Sequence, residues 1–423
     1  MAEPTRRDRV GDSAPRAGVR HGRQSRSTWW RTALKVVAGT LAVALVSAAS
    51  LVAIAAYQLG SGIDAVDIGG DALPTVGEWE GGFNVLIVGV DNAEGQADEG
   101  ERDGATLNDV NILVHVAEDQ RSAVAVSIPR DLIAPRPACE SEDGEESYAV
   151  DEAQFNFAYD AGGLPCVVRT AEALTGLEIP YAGTISFDGV ARMSSAIGGV
   201  DVCIDAPIFD PYTGLDLPTA GTHTVEGYTA LAFLRTRYGV GDGGDLSRIS
   251  NQQVYLSSMI RTVQSEGVLS DPGALYGLAK VTTESMQLST SLASLDTMVS
   301  MARVLADMPI ENIVFVQYPG AIPVDGPLAG RVIPLEDEAA ALIEKIRNDE
   351  RFLPDEPENG TVADPTAPAP APSPSDTAEP DPSASPTVPP LEEGEGKGAE
   401  GPEVLENVPG QTAADRRCSA AND

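Results

Sequence analysis

Histidine, lysine and cysteine are scarce in this sequence, and the common catalytic signatures are missing. Three His and four Lys stand against 24 Arg in 423 residues. There is no GxSxG elbow, no HExxH helix and no Walker loop, so serine-hydrolase, zinc-peptidase and P-loop chemistry lose their usual parts. His115 and His223 read as structural residues, and His21 lies in a basic N-terminal stretch. A formal net charge of −36 argues against a nucleic-acid partner, because binding a phosphate backbone requires a basic surface.

Charge is also absent from Val36 to Ile63. At about 1.5 Å per residue such a run crosses an apolar layer of about 30 Å, which predicts a transmembrane helix over 36–60. Residues 1–35 hold eight Arg and one Lys against Glu3, Asp8 and Asp12, without apolar periodicity, and read as a disordered cytoplasmic tail. Trp29, Trp30 and Tyr57 flank the run, and the next basic residue after Lys35 is Arg102. The one-sided positive charge predicts a single-pass protein of the cell membrane, with its N-terminus in the cytoplasm and its remainder extracellular. A cleaved signal peptide is the competing reading; Ala48-Ala49-Ser50 resembles a cleavage site, but the long uncharged run and basic preamble favour an anchor.

The four cysteines, Cys139, Cys166, Cys203 and Cys418, all fall on the exported side, where disulfides persist. Three pairings are possible. Cys139 with Cys166 is preferred because both flank one insertion, and whether Cys203 joins Cys418 stays open.

Residues 61–80 read as a linker. FNVLIVGVD (83–91) is apolar on both alternating faces, as a doubly covered strand would be. In VNILVHVAED, Val110, Ile112, Val114 and Val116 share one face, leaving Asp109, Asn111 and His115 on the other. SAVAVSIP forms a third strand, ending at Pro129-Arg130-Asp131. Helices are predicted over 164–174, 187–197, 225–233, 247–262, 292–306 and 336–346, with further strands at 182–186, 200–204 and 312–317. The alternation predicts an α/β fold, a three-layer α/β/α sandwich around a mixed central sheet. Residues 81–265 form its main domain, and 266–352 extend the same folded body. The Pro-, Ala- and acid-rich segment 353–423 reads as a disordered spacer, with Cys418 the one sign that its tip returns to the body.

Asp and Arg recur at the ends of these elements: Asp91, Asp109, Arg130, Arg235, Arg237, Asp245 and Arg248. Guanidiniums grip phosphate oxygens in pairs, and Mg²⁺ takes one or two carboxylates plus phosphate oxygens. The set therefore suits a pyrophosphate with a divalent cation, a site that acts by positioning charge. Arg235 and Arg237 diverge on a continuous helix but converge if it unwinds near Thr236. Asp245 has two open readings, a helix N-cap or a catalytic role. Phe187, Met193, Ile197, Leu231 and Phe233 could line a groove for a lipid tail, although core packing is the default for each.

Six ordered blocks carry a more specific signal: FNVLIVGVD, LNDVNILVHV, VSIPRDL, FNFAYDAGG, FDGVARMSSAIGGVDV and ALAFLRTR…GGDLSRISNQQ. Together they span about 83–261, and in this order the chain resembles the LytR-CpsA-Psr family. The resemblance implies a Mg²⁺-dependent (or Mn²⁺-dependent) phosphotransferase that moves a glycan from a polyprenyl-pyrophosphate carrier to a peptidoglycan hydroxyl and releases polyprenyl phosphate. It assigns Asp91 and Asp109 as metal carboxylates, with Asp91, Asp109, Arg130 and Asp245 catalytic. Arg130, Arg235, Arg237, Arg248 and Gln253 would hold the pyrophosphate. Leu107 stands where the family often has arginine, which Arg102 could replace, and Asn251 stands where a basic residue is common. A protein that binds lipid-linked glycan or signals without turnover is the alternative function.

Overall fold

A computed structural model describes residues 29–61, 63–69, 81–91, 106–141, 144–265, 272–357, 359–367 and 402–422. The chain divides into two units, 1–55 and 56–423. Most of helix α1 (Trp29–Ser61) falls in the first. It begins at Trp29, so the last part of the expected disordered tail is helical, while the basic stretch 1–28 lies outside the described residues. Among the described residues no helix is long and apolar enough to cross a membrane. Within α1 itself the side chains at 32, 45, 48, 49 and 51–61 are not among those described.

In the second unit, a mixed nine-stranded sheet runs in the order β1-β8-β5-β2-β3-β4-β9-β12-β10. Its strands are β1 (Asp64–Val66), β2 (Phe83–Val90), β3 (Asn108–Val116), β4 (Ala123–Ser127), β5 (Tyr181–Ser186), β8 (Met286–Ser289), β9 (Ile313–Gln317), β10 (Phe352–Asp355) and β12 (Glu403–Thr412). A second sheet has the order β7-β6-β13-β11, from β6 (Val200–Ile204), β7 (Gly221–Val225), β11 (Thr361–Ala363) and β13 (Arg417–Ser419).

The period-2 pattern explains the layering. Leu86, Val88 and Val90 of β2 enter one core with residues of α2 (Ala158–Thr175) and α8 (Glu336–Arg347). Val85 and Ile87 point into another core, with Ile112, Val116 and Phe315 and with residues of α5 (Asp245–Ser265) and α7 (Leu295–Asp307). Each face of the sheet thus carries its own helices, as the strand-and-helix alternation predicts. The remaining helices are α3 (Phe187–Ala196), α4 (Gly227–Arg235) and α6 (Pro272–Ser285). The sequence reading passed over α6 and β8.

Three expectations are corrected here. Residues 64–66, assigned to a linker, are edge strand β1, paired in parallel with β8. Much of 353–423, expected to be disordered, is built into both sheets: β12 runs antiparallel to β9, β10 pairs with β12, and β13 sits between β6 and β11. The stretch 368–401, which dominates the Pro-rich composition, lies outside the described residues. Averaging over the whole segment hid the apolar Leu405, Val408 and Ala413, which are buried. Gly410 allows the docking, since a Cβ there would meet the Phe315 carbonyl oxygen at 2.1 Å.

The third correction concerns Asp109. The β2–β3 register passes from Gly89↔Val110 to Val90↔Asn108, which leaves Asp109 as the extra residue of a β-bulge. A bulge re-aims side chains. Asp109 consequently lines the same cavity as Val110 and Ile112, instead of sharing the opposite face with Asn111 and His115.

Both disulfides form. Cys139–Cys166 is the preferred pair, and Cys203–Cys418 closes across a separation of 215 residues.

Candidate active site

Four elements bring charge to one place. Pro129 ends the run out of β4, and Arg130 follows at the strand terminus. The bulge turns Asp109 toward it, and the Arg130 Nη1 donates to Asp109 Oδ1 at 2.7 Å. Helix α4 stops at Arg235, and Thr236 has extended backbone (φ −59°, ψ 136°). The helix therefore unwinds where convergence of Arg235 and Arg237 requires it, and both line one cavity with Arg130 and Arg248. The buried Thr236 hydroxyl donates to Asp210 Oδ2 at 2.6 Å, which fixes the unwound turn.

Asp245 opens α5 but does not cap it. Its Oδ1 lies 2.6 Å from Arg248, 3.3 Å from Arg237 and 3.8 Å from Arg130. The polar work at this helix start falls to Asp242, whose Oδ1 accepts from the Ser247 hydroxyl at 2.5 Å and from the Gly244 N–H at 2.9 Å. These bonds hold the Asp242 carboxyl below its ordinary pKa, the Ser247 bond most of all. Asp245 is instead the carboxylate at which three guanidiniums meet.

Burial decides how these cations behave. Arg248 is 5% exposed, and desolvation pushes its pKa down to about 10 despite the adjacent Asp245. For Arg130 burial acts in the same direction, but Asp109, Asp245 and Asp131 outweigh it and the pKa stands above its ordinary value. Both side chains remain cationic at neutral pH. Arg248 also donates to the Asp109 backbone carbonyl at 3.2 Å, tying α5 to the bulge.

Asp91 closes β2 and is 1% exposed; its Oδ1 accepts from the Leu107 N–H at 3.0 Å, and its own N–H donates to the Leu107 carbonyl. Leu107 therefore acts through its backbone at this strand end, and Arg102 lies outside the described residues. Asp109 lines the cavity that holds the four arginines, whereas Asp91 is not in its lining. Among the described residues, the one trio of metal-ligating side chains is Cys203, Asp364 and Cys418, and its sulfurs are joined in a disulfide.

Behind the charges lies a cavity of about 530 Å³ with largely apolar walls: Ile87, Ile112 and Ile185 from the sheet, Phe187 and Met193 from α3, Leu231 from α4, and Leu256 and Met259 from α5. Arg235 lies over the Phe187 ring at 4.5 Å, joining the charged end to the apolar wall. Of the five residues considered for a lipid groove, Phe187, Met193 and Leu231 line the cavity, whereas Ile197 and Phe233 belong to the core under the second sheet.

Gln253 is not brought to the site. It is 1% exposed, and its carbonyl accepts from Gln411 of β12. Gln252 lines the cavity in its place, four residues after Arg248 and therefore on the same helical face. The 248, 252, 256, 259 spacing could have identified it. Asn251, where a basic residue was expected, bridges the Phe233 carbonyl and the Ser419 hydroxyl of β13. Sequence reasoning also missed Tyr212 and Tyr238, exposed residues that line the cavity with ring centroids 4.7 Å apart. It missed Asp131 too, which contacts Arg130 Nε at 3.5 Å.

The LytR_cpsA_psr family model matches residues 58–342. The chain is 32% identical over 250 residues to a probable cell wall biosynthesis protein, LcpB, of Corynebacterium glutamicum, covering 57% of this chain and 55% of that protein. It is 26% identical over 239 residues to the polyisoprenyl-teichoic acid–peptidoglycan teichoic acid transferase TagT of Bacillus subtilis, covering 54% of this chain and 69% of TagT. The chain spans about half the length of LcpB and of a second Corynebacterium glutamicum relative, LcpA. In fold it is similar to the Streptococcus agalactiae protein gbs0355, with a TM-score of 0.51 and 21% identity over 64% of this chain and 88% of that one. A family match across residues 58–342, which contain the bulged Asp109, the Arg130 strand end and the Arg235–Arg248 segment, places this chain in the LytR_cpsA_psr family.

Proposed function

We propose that this protein is a phosphotransferase that moves a glycopolymer from a polyprenyl-pyrophosphate carrier to peptidoglycan. One observation carries the reading: an apolar cavity of about 530 Å³ has Arg130, Arg235, Arg237 and Arg248 in its lining. Apolar walls suit a lipid tail, and clustered guanidiniums suit the pyrophosphate at its head. TagT, named for the transfer of teichoic acid to peptidoglycan, belongs to the same reaction class.

In the proposed reaction, the acceptor hydroxyl oxygen attacks the phosphorus that bears the sugar. The bond from that phosphorus to the bridging oxygen breaks, and polyprenyl phosphate leaves with the bridging oxygen and its electron pair. A phosphodiester joins glycan to acceptor, and the hydroxyl proton leaves as the new bond forms. Arg130 and Arg248 stabilise charge as it shifts to the leaving phosphate. Asp245 holds Arg130, Arg237 and Arg248 together before substrate arrives, and Asp109, which orients Arg130, takes the proton.

Magnesium (or manganese) belongs to the proposal. Asp109 in the cavity lining and Asp91 at the adjacent strand end, both buried, would hold the ion, with phosphate oxygens and water completing its coordination. Such an ion would neutralise charge on the pyrophosphate.

The proposal also includes location. The uncharged sequence run 36–63 is the proposed single membrane span, with the residues after it extracellular, as the one-sided basic charge of 1–35 suggests. The direct test is incubation with a short-chain polyprenyl-pyrophosphate sugar and peptidoglycan fragments, with and without Mg²⁺. Mg²⁺-dependent transfer that Arg130→Ala abolishes supports the reading. Tight lipid binding without transfer, where a known ligase works, would replace it with a non-catalytic binder.

A further inference from the structure

A second groove, of about 510 Å³, lies between the 133–154 hairpin, the start of α2 and the 328–331 turn. Its lining is of another kind from the lipid-sized cavity: Arg136, Arg331, Glu152, Asp160, Gln154 and the 42% exposed ring of Phe157. Planar guanidinium, carboxylate and amide groups offer paired donors and acceptors, and an exposed ring offers an apolar face. That combination matches a sugar, which presents vicinal hydroxyls around an apolar ring face.

Three observations make this more than a surface dent. The hairpin is fixed: Ile133–Arg136 pairs with Val150–Gln154, and the Cys139–Cys166 disulfide joins the adjoining loop to α2. Arg136 Nη2 donates to the Tyr148 carbonyl, while its Nε is buried and has no hydrogen-bond partner among the described residues. A buried donor left unmade is costly, so a ligand acceptor there would be favourable. Finally, the groove touches the active site through one carboxylate: Asp131 Oδ1 accepts from Gln154 Nε2 at 2.8 Å and pairs with Arg331 at 3.2 Å, while Asp131 Oδ2 lies 3.5 Å from Arg130.

We infer that this groove is a saccharide subsite of the transfer reaction, holding a glycan segment beside the phosphate that Arg130 grips. The inference rests on the proposed transfer for its role, but not for the binding itself. Two sources share the chemistry, the acceptor glycan and the glycan of the donor. Arg136 and Arg331 are balanced by Glu152 and Asp160 in the lining, which suits a polar, hydroxyl-rich saccharide.

Calorimetric titration of the full chain separates these outcomes without requiring turnover. The probes are a disaccharide-peptide acceptor fragment and, separately, a lipid-free donor glycan. Phe157→Ala and Arg136→Ala should each weaken binding of one probe at least tenfold, and Arg136→Lys should restore part of the loss at Arg136. Weakening of the first probe assigns the groove to the acceptor, and of the second to the donor glycan. If neither probe binds the parent protein, or both bind all variants equally, the subsite does not exist. Binding that persists in a protein without transfer activity would instead remove the phosphotransferase reading and leave the groove intact.

Discussion

Asp245→Asn tests whether Asp245 acts through its charge, as the three guanidiniums around it imply. Asn caps a helix as well as Asp, so a capping residue would lose almost nothing on this change. A charge hub would lose much more. The Asp245 and Arg248 side chains are each only 7% exposed, and Arg237 and Arg130 share the same oxygen. Removing the carboxylate leaves the buried Arg248 without its closest counter-charge, and breaking a buried pair in this way costs about 3–5 kcal/mol. For a body of this size, about 2 °C per kcal/mol applies, giving a fall in Tm of about 6–10 °C. Thermal unfolding followed by circular dichroism reads it directly. Asp245→Asn/Arg248→Met should recover most of the loss, because the uncompensated charge is gone. Inorganic pyrophosphate should stabilise Asp245→Asn more than the parent, by supplying the missing negative charge. A Tm within about 1 °C of the parent would refute the ion-pair reading and restore the cap.

Burial depresses the His115 pKa despite its bond to Asp349, so the folded state binds fewer protons here than the unfolded chain. Stability should therefore fall as pH drops below the unfolded value of 6.5 and level off below the folded pKa, and His115→Gln should flatten that slope in urea titrations from pH 8 to 5. Reducing or replacing Cys203–Cys418 removes the covalent tie between β13 and β6, and loss of a native disulfide costs about 2–5 kcal/mol, readable as a lower urea midpoint for Cys418→Ser. Met259→Trp, placed in the cavity wall, should raise KM for a long-chain lipid donor more than for a short-chain one; equal effects would mean that the cavity does not hold the tail.

The sheet was legible because apolar alternation is dictated by the pleat. The buried runs at 83–90 and 110–116 and the proline after β4 located β2, β3 and Arg130 without further information. Unwinding at Thr236 was an open alternative in the sequence, suggested by the glycine-rich run after two arginines two residues apart, and the break after Arg235 decides it. What could not be read depends on partners distant in sequence. The face that Asp109 occupies is set by a bulge against β2, and a bulge exists only once two strands are paired. The order of β12 and β13 is set by the open edge of β9 and by a disulfide to Cys203, so a segment of tail-like composition reads as disordered until its docking site is known. Gln253 followed from the family block alone, whereas the 3.6-residue period from Arg248 points to Gln252, which lines the cavity.

The central claim is attack at the sugar-bearing phosphorus, and the lipid released from a polyprenyl-pyrophosphate sugar reports it most directly. Mass spectrometry of that lipid, after incubation with peptidoglycan fragments, should show polyprenyl monophosphate, with one phosphorus retained between sugar and acceptor. Polyprenyl pyrophosphate beside a phosphorus-free glycoside would mean attack at the sugar carbon and would contradict the account.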